Sequence, residues 1–421
     1  MKPLPDPYPI EPLVKPPNCT ITVPGSKSIT NRALILAALS DKKCTLRGAL
    51  WADDTQVLVD SLWELGFNVQ VDPDPTEECN RTITVVGRGG KIPAKKAELY
   101  VGNAGTAARF LTALVCLGEG EYRIYGNERM HERPMKELFD ALRSLGAEIE
   151  TENDRLPATI LAKGLRGGKV SVSAARSSQF ASALVLISRY TKDGELEVTM
   201  QTDRQADRDE INYFVMSHEM VLTWSGSEQF DIEPDFSAAS YFWAAEHILG
   251  GQIKIEKDHP SQQIDSHFRR YLQNPLTIEE LATIPRERRE TPREVSREFQ
   301  LGDSIMTLAI CALFDWQPLS IVGATGMRLQ ETDRIKAMVT ELQRVGAKAE
   351  EHENGFTVWP AEPGQLHGAD IETYNDHRMA MCFAVLGLKV PGIRIKNPGC
   401  VSKTFPNFFE KLEQLRQKPS P

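Results

Sequence analysis

A chain of 421 residues, 41% of them hydrophobic, is long enough to fill two cores or one large repetitive one. Its net charge of −9 argues against general nucleic-acid binding and leaves the local basic clusters as pockets for small anions. No apolar run approaches the roughly 18 residues of a membrane span. The seven cysteines are scattered without Cys-x-x-Cys pairing, so a cytoplasmic protein in a reducing compartment, with no zinc cage, is expected.

The Pro-rich start, residues 2–17, lacks the apolar core of a signal peptide. A strand-like run over residues 20–23 then stops at Pro24-Gly25-Ser26-Lys27-Ser28-Ile29-Thr30-Asn31-Arg32, and an apolar-periodic helix over 33–40 follows. Pro24 and Gly25 turn the chain, Ser26 or Ser28 caps the helix, and the unpaired N–H groups of its first turn favour an anion. Lys27 adds a point charge, and Arg32 adds a two-pronged donor suited to phosphate. Ser26 stands where a nucleotide P-loop needs glycine, which excludes that motif. In isolation the nonapeptide reads as no more than a capped helix with two solvated cations.

Asp53-Asp54-Thr55 opens a helix through Val57, Leu58, Leu62 and Leu65, which ends at Gly66 and runs into an alternating strand. The same unit recurs from Glu132 to Gly146 and from Glu331 to Gly346, which implies a fold assembled from repeated αβ units. Gly102-Asn103-Ala104-Gly105-Thr106-Ala107-Ala108-Arg109 is a second anion cradle, with Thr106 as its cap and a helix over 107–117, or equally a Gly-rich turn tightened for packing. In Arg129-Met130-His131-Glu132-Arg133-Pro134 an arginine at a loop end is as often a surface ion-pair partner as a ligand. Arg176-Ser177-Ser178-Gln179 crowds two hydroxyls and an amide at a helix start, more than capping needs, and favours a polyhydroxylated ligand.

The charged run 202–209 reads as a solvated face, and the chain is expected to change lobe near Glu233-Pro234-Asp235-Phe236. The mixed-sign run RERRETPREVSRE, 286–298, reads as an exposed loop or surface helix. Leu301-Gly302-Asp303-Ser304 caps an apolar helix over 305–314. Glu331 and Arg334, three apart, are expected on one helical face. Asn375-Asp376-His377-Arg378 and the segment 398–406 with Cys400 and Lys403 each precede a helix. His377 lacks a second ligand at metal spacing, so no metal is expected; Cys400 lacks a nearby base and reads as an inert thiol.

Taken together, the segments PGSKSITNRALI, GNAGTAARFLTAL, RMHERP, SSQFASAL, PDFSAASYF, GDSIMTLA, ETDRI, TYNDHRMAM and PGCVSKTFPNFF resemble the enolpyruvyl transferases, in the family's order and across most of the chain. Within that family the resemblance is to the branch acting on shikimate 3-phosphate, because the UDP-sugar branch carries Asn where this chain has Ser28. The resemblance implies an α/β (α+β) fold: a two-lobed inside-out α/β barrel of βαβαββ units, three per lobe. One lobe would span 22–230 and the other 1–21 plus 231–421, with the active site in the cleft between them. It further implies a monomer with no organic cofactor and no metal, whose small-molecule substrates are phosphoenolpyruvate and shikimate 3-phosphate. The enolpyruvyl group would pass to the 5-hydroxyl through a tetrahedral intermediate that eliminates phosphate, in chorismate and aromatic amino-acid biosynthesis.

By position, Glu331 resembles the family's proton donor to the methylene carbon, Asp303 the carboxylate that activates the hydroxyl, and Lys27 a cation shared by both steps. Lys27, Gly105, Arg129, Arg334, Arg378 and Lys403 would hold phosphoenolpyruvate; Ser28, Arg32, Ser177, Ser178 and Gln179 would hold shikimate 3-phosphate, with Asn103 a further substrate ligand. The chain departs from the pattern at Gln330, where relatives carry Lys, at Asp207 to Glu210, where relatives carry Ser-Lys/Arg-Pro-Tyr, and in the charged insertion 286–298. The acceptor half is therefore altered, and two alternatives stand beside the main expectation: transfer to a different hydroxylated acceptor, or a silent homologue that senses phosphorylated metabolites.

Overall fold

The computed structural model describes residues 4–173, 176–201, 213–224, 229–274, 276, 278–297 and 299–416; Asp207 and Glu210 lie outside them. The chain divides into two compact units, Pro24–Glu233 and Met1–Val23 with Pro234–Pro421. Each has its own apolar core, one drawn from residues between Ile29 and Ile232, the other from Ile10 to Val23 and Phe236 to Leu415.

Three four-stranded sheets share one topology. Lys96–Tyr100, Glu119–Tyr125, Ala158–Lys163 and Glu148–Thr151 lie in that order, the first pair parallel and the next two antiparallel. Arg293–Ser296, Leu319–Val322, Gly355–Val358 and Ala349–His352 repeat the pattern in the other unit. The third copy, Lys43–Leu50, Asn80–Val86 and Asn68–Pro73, takes its parallel edge from Gln229–Asp231 at the far end of its unit. That strand returns the chain to where it entered: the Ser26 amide donates to Glu233 O at 2.8 Å, and the Gly25 amide donates to Asn80 Oδ1 at 2.8 Å.

Strands such as Lys96–Tyr100 alternate exposed and buried side chains, so one face of the sheet is solvated. The helices Lys27–Leu39 and Gly105–Val115, by contrast, are buried on every residue from 29 and from 105 onward, as are Ile305–Cys311 and His377–Gly387 in the other unit. Helices buried on all sides form the interior, and amphipathic ones such as Lys136–Ser144 cover the sheets.

Several elements differ from the sequence reading. The first helix begins at Lys27, with Ser26 as its cap accepting from the Ile29 amide, rather than at residue 33; the strand before it is Asn18–Ile21. Thr106 lies inside its helix, which starts at Gly105. The charged run 286–298 contains the sheet strand Arg293–Ser296, which pairs in parallel with Leu319–Val322 and buries its two uncharged residues, Val295 and Ser296. Glu331 precedes the helix Arg334–Arg344, whose cap is Asp333, so Glu331 and Arg334 meet across a bend instead of along a helical face.

Candidate active site

In the Pro24–Glu233 unit, the first turns of three buried helices come together. Arg32, one turn into Lys27–Leu39, donates from Nη2 to Ser182 Oγ in Gln179–Ile187 at 3.3 Å, and Gln179 Nε2 donates to Thr106 Oγ1 in Gly105–Val115 at 3.4 Å. Helix N-termini gathered in this way leave amide donors and the positive ends of three dipoles for an anion. Lys27 Nζ stands 3.5 Å from the buried Asp54, which fixes the ammonium near the helix start. The sequence reading treats Asp54 only as an acidic cap.

Arg32 turns inward, only 2% exposed. Its Nε donates to Ser217 Oγ at 2.7 Å, Nη1 to Ser28 O at 2.9 Å, and Nη2 also to Tyr213 O at 3.1 Å. Burial lowers its pKa to about 10, so it remains charged at neutral pH while it ties three segments together. Arg129 forms a 2.7 Å ion pair with Glu132 and is a third exposed, whereas Arg133 in the same hexapeptide is buried and donates to Asn103 O at 3.0 Å and Oδ1 at 3.1 Å. Arg109 Nη2 donates to Pro134 O at 2.9 Å. A methyl group at Gly105 would stand 2.5 Å from both Arg109 Nη1 and Arg133 Nη2, so the glycine leaves room for two guanidinium groups beside a helix start. Ser177 and Ser178 are half-buried at the opening of Gln179–Ile187, where Ser177 Oγ accepts from the Gln179 amide at 3.2 Å.

The other unit gathers carboxylates and cations. Glu331 lies between Arg334 Nη2 at 2.9 Å and Lys403 Nζ at 3.2 Å. Asp303 receives Arg378 Nη2 on Oδ2 at 2.8 Å, and on Oδ1 both Arg297 Nη2 at 3.1 Å and Arg334 Nη1 at 3.6 Å. Asp376, fully buried, takes Arg334 Nε at 2.7 Å and Nη2 at 3.1 Å and caps its own helix by accepting from the Arg378 amide at 2.9 Å. Burial alone would lower the pKa of Arg334, but Asp376, Glu331 and Asp303 more than reverse that and hold it above the usual arginine range. Gln330 Oε1 accepts from Arg334 Nη1 at 2.7 Å. Arg378 Nη1 donates to the Tyr241 hydroxyl at 3.4 Å, and burial keeps that phenol protonated, well above its ordinary pKa.

The backbone carrying Asp303 is itself anchored. The buried carboxylate of Asp265 accepts from the Gly302 amide at 2.9 Å, the Ser304 amide at 3.1 Å and Ser304 Oγ at 2.6 Å, and its other oxygen from Ser237 Oγ. No local sequence signal marks Asp265; only tertiary placement does. Burial pushes the Cys400 thiol up to about 12, which leaves it protonated and a poor nucleophile at neutral pH.

The structure thus brings Asp303, Glu331, Arg334, Arg378 and Lys403 into one cluster and adds Arg297, Asp376 and Tyr241 to it. Two acids interleaved with fixed cations, on an α+β fold of repeated sheets, define an enzyme for proton-coupled transfer chemistry on small anions. The family described as "EPSP synthase (3-phosphoshikimate 1-carboxyvinyltransferase)" matches residues 14–412. The 3-phosphoshikimate 1-carboxyvinyltransferase of Nostoc punctiforme is 37% identical over 96% of this chain and 98% of its own, and that of Photobacterium profundum 39% identical over 95% and 97%. An EPSP synthase from Acinetobacter baumannii has the same fold, with a TM-score of 0.72 at 21% identity and 97% of each chain covered. The chain belongs to the EPSP synthase family.

Proposed function

We propose that the chain transfers the enolpyruvyl group of phosphoenolpyruvate to the 5-hydroxyl of shikimate 3-phosphate and releases orthophosphate, a step toward aromatic amino acids. The observation that carries this reading is the cluster in which Asp303 and Glu331, at the family's motif positions, are each held by cations suited to an anionic substrate. Asp303 takes the proton of the acceptor hydroxyl as its oxygen bonds to C2, and Glu331 delivers a proton to the methylene carbon. The reverse proton transfer from that carbon accompanies loss of phosphate from the tetrahedral intermediate. Anions of phosphoenolpyruvate draw Arg334 and Lys403 away from Glu331, which allows the carboxyl to hold the proton it delivers.

Lys27, Asn103, Gly105, Arg129, Arg334, Arg378 and Lys403 bind the phosphoenolpyruvate side, and Ser28, Arg32, Ser177, Ser178 and Gln179 the acceptor side. Arg32 serves the acceptor by orienting Ser28 and the neighbouring helix starts, since its donors are directed to Ser28, Ser182, Ser217 and Tyr213. The two units are read as the lobes of an inside-out α/β barrel with three βαβαββ units each, the two-stranded and three-stranded sheets being shortened copies. The enzyme works as a cytoplasmic monomer; among the described residues no helix is long and apolar enough to cross a membrane.

Orthophosphate measured with each substrate alone and with both together tests the reading: release is expected only from the pair. Glu331→Ala should bind phosphoenolpyruvate and lose turnover by about 10²–10³-fold, the scale of deleting one preorganised transition-state contact. Turnover with another hydroxylated acceptor and none with shikimate 3-phosphate would overturn it.

A further inference from the structure

We infer that Arg297 is a positioning residue that keeps Asp303 oriented once substrate anions have engaged the neighbouring arginines. The inference rests on the reading of Asp303 as the group that takes the acceptor's proton. Arg297 directly follows the strand Arg293–Ser296, and its amide donates to Val322 O at 2.9 Å, so its backbone is fixed to the sheet. Its side chain, 20% exposed, places Nη2 3.1 Å from Asp303 Oδ1.

The other two guanidinium groups on Asp303 have competing commitments. Arg334 is held by Asp376, Glu331 and Gln330 and reaches Asp303 only at 3.6 Å. Arg378 holds Oδ2 at 2.8 Å, yet it is a cation that the substrate carboxylate or phosphate would claim. An anion that draws Arg378 away removes an orienting bond from Asp303 at the moment the carboxylate must face the hydroxyl. Arg297 has no such rival: among the described residues Asp303 is its one ion-pair partner. Asp265 already fixes the peptide on both sides of Asp303, so the remaining freedom is the side-chain torsion, and a contact to Oδ1 removes it.

Charge balance supports the same role. Among the described residues joined by these ion pairs, the carboxylates Asp303, Glu331 and Asp376 are equalled in number by Arg334, Arg378 and Lys403, and Arg297 adds one further positive charge. A site that receives a multiply charged anion is favoured by such an excess, and a carboxylate inside it stays paired after the anion binds.

Steady-state kinetics of Arg297→Gln and Arg297→Lys, each in the parent and in an Asp303→Asn background, test this, with melting curves for every variant. R297Q should lower kcat by about 10- to 100-fold, the scale of one charge-assisted contact, without raising the KM for phosphoenolpyruvate. R297K should recover part of the loss. In the D303N background either substitution should change nothing further, because both act through the same carboxylate. If R297Q melts below the assay temperature, the R297K comparison across the two backgrounds decides in the same way. A parent-like kcat in R297Q, or losses that multiply with D303N, would overturn the role of Arg297 alone. A parent that releases no phosphate from the substrate pair would overturn the functional reading and this inference with it.

Discussion

Gly105 is held to its identity by two arginines, Arg109 one turn along its own helix and Arg133 from beyond the next strand. A Cβ there would press Arg109 Nη1 and Arg133 Nη2, both far ends of flexible side chains, so the fold can absorb Gly105→Ala while the guanidinium groups move. We expect the KM for phosphoenolpyruvate to rise by about tenfold or more with a melting temperature close to the parent's; initial-rate kinetics and a thermal melt check both. From sequence, Gly105 is legible as a donor of backbone N–H groups, but its steric role is not, since nothing local reveals that Arg133 approaches it beside Arg109. The same limit explains Arg129 and Arg133: one hexapeptide holds both, and only tertiary packing decides that Arg133 is buried against Asn103 while Arg129 pairs with Glu132. Arg297 sits in a run that looks like solvent-facing charge, and its partner Asp303 identifies it only after the sheet has formed.

The αβ repeats were readable at the level of the element because their helix ends follow one chemical rule. In each, a glycine at positive φ (+82° at Gly66, +98° at Gly146, +88° at Gly346) follows the last helical turn. The next residue's amide returns to a leucine carbonyl: Phe67 to Leu62, Ala147 to Leu142 and Ala347 to Leu342, at 2.9, 3.0 and 3.0 Å. Alanine at any of the three should lower stability by about 1–2 kcal/mol through backbone strain. Gly346→Ala should cost the most, because its Cβ would lie 2.6 Å from the fixed carbonyl of Gln365. At Gly66 and Gly146 the nearest atoms, Pro93 Cβ and Arg166 Nε, are 3.1 Å away and belong to side chains. Denaturant midpoints of the three variants give the order. Helix starts were less legible: a helix buried on all faces has no polar side to mark its phase, so Lys27–Leu39 shows its apolar run from residue 33 but not its true beginning.

For the molecule as a whole, the separation of the two cores carries its own prediction. Among the described residues, the apolar core of Pro24–Glu233 draws on none outside that segment, and its sheets are formed by its own strands. A protein consisting of residues 24–233 should therefore fold, with a cooperative thermal transition by circular dichroism, and should release no phosphate because Asp303, Glu331 and Arg378 are missing. The presence of repeated units is legible in the recurring order of acidic cap, helix, glycine and strand, but the borrowing of Gln229–Asp231 as the edge of a sheet begun at Lys43 is not, since such a pairing joins residues far apart in sequence.

The hydrogen bond from the Ser26 amide to Glu233 O has a consequence for how such a protein can be rebuilt. The segment leaves and rejoins the main trace at neighbouring points, like a cassette held by two adjacent pins. Chimeras in which residues 24–233 come from a relative, exchanged at these joints, are a direct way to ask which half of the enzyme sets the choice of acceptor.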